Sequence, residues 1–265
     1  MSAERGRRRR RCSGRHGRGA GFALVALLAL LWQVSATQGA ASPNWPPPSE
    51  VLRALASGLA SGELALVFGS TLARAAAGFA AGAAAGIVLG SAIALSPRVA
   101  AALAPTLELL RPLPVPALVP PLVLLVGIDD AMKVSLVAYS TGFPVLVNTV
   151  AGLRAVDRIW LDVGRTFGVG RLRTLVQVRL PAALPYLLAG LRTSLALALV
   201  VTVVAEMLAG ASGVGYHLTT MQYAMRGAET YAAIVGLAAV GYALNGAFGA
   251  LETRLLRGHR HEPRG

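Results

Sequence analysis

The chain has 265 residues, 55% of them hydrophobic and only 14% charged, with a mean hydropathy of +0.60; this apolar surplus excludes a single water-facing globule and makes lipid part of its solvent. A net charge of +13 would suit a nucleic-acid partner if the basic residues formed one face, but they fall between apolar runs instead. The one cysteine, Cys12, rules out a disulfide framework within the chain and a thiolate metal site.

Residues 1–20 are a basic arm without apolar periodicity, expected on the cytoplasmic side, where it orients the first helix. An apolar run over 21–36 is short for a span but resumes weakly to Ala41, so an uncleaved first transmembrane helix is expected over 21–41. Signal-peptidase cleavage after Val34-Ser35-Ala36 is the alternative. Residues 42–70 read as an outer loop and a short interfacial helix, because the prolines after Trp45 break the first helix and Pro48-Ser49-Glu50 opens another.

The membrane core is expected over 71–255. Its first span, 72–95, carries Gly78, Gly82, Gly86 and Gly90 at every fourth position, hence on one helix face, where glycine lets another backbone come close. The apolar segment 103–128 holds Pro112, Pro114, Pro116, Pro120 and Pro121, which no regular helix accommodates. Non-helical backbone at membrane depth needs cover from protein or a water-filled cavity, so this segment either lines a pathway or is a kinked or re-entrant structural helix. After a polar turn at Asp129, Asp130 and Lys133, spans are expected over 134–153, 191–209 and 231–251, with a water-facing basic stretch over 154–190 and a tail over 256–265.

Basic residues assign the sides. The N-terminal arm holds eight arginines, the loop with Arg98 and Arg111 two, residues 154–192 seven and residues 254–265 four, leaving Arg53, Arg74, Lys133 and Arg226 for the outside segments. Both termini and the long basic stretch are therefore expected to be cytoplasmic, in an all-α protein of about six transmembrane helices.

Residues 162–181 read D-V-G-R-T-F-G-V-G-R-L-R-T-L-V-Q-V-R-L-P. This resembles the EAA loop, E-A-A-x3-G-x9-I-x-L-P, of binding-protein-dependent ABC importer permeases. Asp162, Val163 and Gly164 stand at the E-A-A positions, Gly168 at the glycine, and Val178, Leu180 and Pro181 at the I-x-L-P end. The glycine and the L-P match in spacing; the triplet is conservative at Asp162 and looser at the next two. An acid near the start of a short helix suits the helix dipole, a glycine lets two short helices meet at an angle, and a proline stops the second. Further stretches, among them P-S-E-V-L from Pro48, L-R-P-L-P-V-P-A-L-V-P-P from Leu110 and A-S-G-V-G-Y from Ala211, resemble the nitrate, sulfonate and taurine branch of that family, over about residues 45–255.

The resemblance implies a type I importer bundle in a bacterial plasma membrane, with a second permease copy, two cytoplasmic ATP-binding subunits and an extracytoplasmic solute-binding protein. A Walker A loop needs a lysine after glycine, and the single lysine, Lys133, sits in D-D-A-M-K-V-S. No cofactor is expected on this chain; ATP and magnesium belong to the partner ATPase. Glu206, near the end of its span, is costly in lipid and either meets substrate or steadies the A-S-G-V-G turn; a carboxylate repels an anionic substrate, which favours the turn. Two rivals stand beside the importer. An ion-coupled carrier would need buried ionisable residues, and little beyond Glu206 offers one. An intramembrane serine protease could use G-A-S-G at 210–213, but His217 lies in the same loop rather than on a later span.

Overall fold

The computed structural model describes residues 13–38 and 44–256, and among them every regular element is helical. In chain order these are α1 (Ser13–Gln38), α2 (Pro48–Ala60), α3 (Glu63–Leu95), α4 (Pro97–Leu110), a 3-10 turn (Val115–Leu118) leading into α5 (Val119–Val126), and α6 (Asp130–Arg154). Then follow α7 (Arg158–Thr166), α8 (Arg171–Thr174), a π turn (Leu175–Arg179), α9 (Leu180–Ala209), α10 (Val214–Tyr223) and α11 (Gly227–Leu256). Residues 1–12 of the basic arm, 39–41 of the expected first helix and 257–265 of the tail lie outside the described residues.

Four helical stretches, α3, α6, Leu175–Ala209 and α11, are long and apolar enough to cross a bilayer; a fifth crossing exists if α4 and the Val115–Val126 stretch, bent by 96° across their break, count as one. The count of six expected above adds α1, whose apolar part, Ala23–Gln38, is shorter than the about 20 residues a spanning helix needs.

The glycine row sets the centre of the bundle. Gly78, Gly82, Gly86 and Gly90 are all buried on α3, and a methyl group added to Gly78, Gly86 or Gly90 would stand 2.9, 2.7 or 2.9 Å from the carbonyl oxygen of Val134, Gly142 or Leu146 on α6. At Gly82 it would collide with the Ala138 carbonyl and the Thr141 hydroxyl. The two numberings rise together, so α3 and α6 are parallel neighbours, and the bent stretch between them must carry the chain back across. α9 runs antiparallel to α6: Gly152 meets Ala183 and Tyr186, Gly190 meets Asn148 and Pro144, and the Ser194 hydroxyl donates to the Thr141 carbonyl at 2.7 Å. In lipid such contacts stabilise through close packing and interhelical hydrogen bonds rather than through escape from water.

The ends of the bundle differ in what they carry. At one end, here the α2 end, Leu64 and Phe68 of α3 pack with Val203, Val214, Leu218 and Ala233, and Trp32, Trp45 and Tyr231 form a ring cluster with centroids 5.8 to 6.5 Å apart. At the other, the α7 end, Leu153, Ala183 and Leu187 are joined by Ile87, Ala94, Leu175 and Leu180.

Several expected boundaries are corrected. α3 begins at Glu63 rather than residue 72, inside the expected outer segment, because Leu64 and Phe68 have apolar partners that only the tertiary structure supplies. α9 begins at Leu180 rather than residue 191: Ala183, Leu187, Leu188 and Gly190 are buried, so the last third of the expected water-facing stretch belongs to the packed core. Arg74 and Lys133, expected in outside segments, are 7% and 3% exposed within α3 and α6.

Candidate functional site

At the α7 end the chain leaves α6 and forms a compact helical elbow. Asp157, not Asp162, caps α7, its Oδ1 accepting from the Ile159 amide at 3.0 Å. Asp162 is the fifth residue of that helix, beyond the first turn, so the dipole argument made for it passes to Asp157. α7 ends in a Schellman arrangement: the Val169 amide donates to the Gly164 carbonyl at 2.9 Å, and Gly168 has φ +67°, a left-handed conformation natural to glycine. A side chain at Gly168 would meet nothing within 4 Å, so the requirement there is backbone conformation alone. Gly164 faces Thr174, its added methyl 3.8 Å from the hydroxyl, which is ordinary contact.

Ile159, Val163 and Phe167 recur at every fourth residue along α7 and are 66%, 43% and 80% exposed. They form one apolar stripe aimed away from the bundle. Ile159 and Phe167 escaped the sequence reading, which followed the motif positions; their four-residue spacing around Val163 was the available signal. Val178 lies in the π turn and is half-buried. Leu180 and Leu175 contact the inner cluster of α3, α6 and α9, so the elbow is anchored to three helices of the bundle. Pro181 does not stop a helix: it sits in the first turn of α9, and the preceding turn takes up the register change, with the Leu180 amide donating to Leu175 O. Thus Asp162, Val163, Gly164, Gly168, Val178, Leu180 and Pro181 fall within one elbow, on two faces with different surroundings.

At the α2 end the chain buries a polar cluster. Glu206 has no exposed surface. Its carboxylate accepts from Arg74 Nη1 at 2.7 Å, from the Thr71 hydroxyl at 2.8 Å and from the Gly215 amide at 3.1 Å. Arg74 also donates from Nε to Asp130 at 2.7 Å and from Nη2 to the Ser212 hydroxyl at 2.7 Å, while Thr71 accepts from the Val214 amide at 2.8 Å. Lys133 stands 3.5 Å from Asp130. Glu206 and Arg74 together thereby tie α3, α6, α9 and the start of α10. Gly213, at φ +99°, closes that turn directly over Glu206, and an added methyl would overlap the carboxylate. Arg74 and Thr71 carried no sequence signal toward Glu206, since 132 residues separate the ion pair in the chain. Ser212 spends its hydroxyl on Arg74, and His217 Nδ1 lies 4.0 Å from Glu63, so the two are not paired as a nucleophile and its base.

Between these ends lies the proline break. Pro112 and Pro114 flank the non-helical turn after α4, and Pro116 lies within the 3-10 turn; all three are exposed. The stretch after the break joins the central core: Val119 is buried with Met132, Leu136 and Ala205, and Val115 and Leu118 of the 3-10 turn pack against them.

Comparison with known proteins agrees with this arrangement. Residues 82–257 match the family described as binding-protein-dependent transport system inner membrane component. A permease protein named for aliphatic sulfonates transport in Bacillus subtilis (strain 168) is 34% identical, covering 92% of this chain and 88% of that protein. Its namesake in Escherichia coli (strain K12) is 39% identical over 74% of each chain. The taurine transport system permease protein of Escherichia coli (strain K12) is 30% identical over 89% of this chain and 88% of that one.

Proposed function

The chain belongs to the family of binding-protein-dependent transport system inner membrane components, as a multi-pass permease subunit of an ABC importer in the plasma membrane, and from that premise we propose how its two ends divide the work. The α7 elbow docks in a groove of a separate cytoplasmic ATPase, which binds the ATP and magnesium; the permease itself holds no cofactor. Two permease copies enclose the path, and a solute-binding protein delivers substrate at the α2 end. With α1 counted as a span and the bent stretch as one crossing, both termini and the elbow lie on the cytoplasmic side, where the excess of arginine falls.

The observation that carries this reading is the exposed stripe of Ile159, Val163 and Phe167 on an elbow whose opposite side, through Leu175 and Leu180, grips the core. An apolar face open to water is a binding surface in waiting. When the ATPases close, the elbow moves as a body and its displacement passes through Leu175 and Leu180 to α3, α6 and α9. The glycine seam of Gly78, Gly82, Gly86 and Gly90 lets α3 and α6 follow as one unit, and Glu206 holds the far end of the same helices together. The substrate class is a small anion such as an aliphatic sulfonate, taurine or nitrate, with the binding protein making the final choice.

The test is co-purification of the tagged chain from its native membrane, scoring the ATPase that accompanies it. Wild type is expected to bring the ATPase down; Gly168→Asp and Phe167→Ser are expected to lose it while keeping the thermal stability of the isolated permease. An ATPase retained by both variants, or absent from the wild type, overturns the docking assignment.

A further inference from the structure

α4 has no buried residue among its 14 positions, and its last turn presents Leu109, 74% exposed, beside Glu108. Arg111 follows at the helix cap, three residues from Glu108 and therefore on the same face. Both charged side chains are exposed, and among the described residues neither has an ion-pair or side-chain hydrogen-bond partner. Their depth follows from a neighbour. The Leu110 carbonyl accepts from the Tyr139 hydroxyl, and Tyr139 stands nine residues after the start of α6, about 14 Å along the axis of a spanning helix at roughly 1.5 Å per residue. With α6 taken as a crossing that starts at Asp130, Glu108 and Arg111 stand at the depth of Tyr139, next to the non-helical backbone at 112–114, which takes Arg111 out of the cytoplasmic loop in which the charge count had placed it.

Lipid is a poor cover for this surface on two independent counts. Charged side chains at such depth face a bundle interior or a water-filled cavity, and irregular backbone there has to be buried in protein or wetted. The chain itself covers neither. Resting on the reading that two copies enclose a path, we propose that Glu108 and Arg111 line that water-filled path and that Arg111 meets the anionic group of the passing solute. Glu108, one turn away, keeps the local charge balanced, so the arginine receives an anion without trapping it. The polar cluster around Glu206 plays no such part, since Arg74 is already saturated by two carboxylates and Ser212.

The experiment uses the importer purified with its ATPase, in a Cys12→Ser background carrying Leu113→Cys, or Leu109→Cys should the first fail to assemble. Each is labelled with an anionic sulfonatoethyl and a cationic trimethylammonioethyl methanethiosulfonate. Both reagents are expected to react, and the anionic-to-cationic rate ratio is expected to fall about three- to tenfold with Arg111→Gln, to hold with Arg111→Lys and to rise with Glu108→Gln. A reporter that neither reagent reaches in ATPase-bearing complexes places the face against lipid or a dry contact and overturns the proposal. A ratio indifferent to Arg111→Gln removes Arg111 from the path. Failure of the importer reading itself would show earlier, as an absent ATPase.

Discussion

The two ends of the bundle solve opposite problems with the same materials. At the α2 end a carboxylate with no exposed surface is surrounded by an arginine, a hydroxyl and a backbone amide, and the glycines around it leave no spare volume. At the α7 end three large apolar side chains face outward, 43% to 80% exposed. The first is complete within one chain, and the second is complete only with a partner. Burial of an ion pair inside a membrane protein adds little net stability, but it makes the pairing of three helices hard to exchange for another. An open apolar stripe does the reverse, leaving a free face that a second protein can engage and release.

The largest expected effect comes from breaking the closed end. Glu206→Ala leaves Arg74 buried without its second carboxylate and is expected to cost about 3–5 kcal/mol, seen as loss of monodisperse protein in detergent. Arg74→Leu combined with Glu206→Leu should cost less than the sum of the single changes, because the cluster acts as a unit. A double-variant loss equal to the sum of the two single losses would mean that the pair is not coupled.

The seam joining the ends ranks next. Gly82→Ala puts a methyl group into the Ala138 carbonyl and the Thr141 hydroxyl and is expected to cost about 1–3 kcal/mol as α3 and α6 are forced apart, read from the melting temperature of the purified chain. An unchanged melting temperature would show that the helices do not touch there.

The smallest effects sharpen the open end. Gly168→Ala strains a left-handed residue by about 1–2 kcal/mol, but a side chain there meets nothing within 4 Å, so the loss should appear in ATPase recovery and not in the melting of the permease. Gly164→Ala, with its methyl in ordinary contact with Thr174, should change neither. If Gly164→Ala were the more damaging of the two, the Schellman turn would not be what shapes the elbow.

Much of this was legible in the sequence. The four-residue glycine spacing identified the α3 face that meets α6, the proline cluster located the break after α4, and the spacing of Gly168 and Pro181 marked the elbow. These are local signals: a period, a breaker, a left-handed position, each set by the backbone of its own segment. The helix starts at Glu63 and Leu180, the cap at Asp157 in place of Asp162, and the partners of Glu206 were not legible. Each depends on which distant segment arrives beside it. The charge count assigned Arg74 and Lys133 to the outside segments and was silent on burial; the tertiary structure buries them, because opposite charges from α3, α6 and α9 converge where no single segment could satisfy them. The sequence by itself therefore determined what each helix could do, and only the packing of helices decided which charges would be paired inside the bundle and which would be left facing outward.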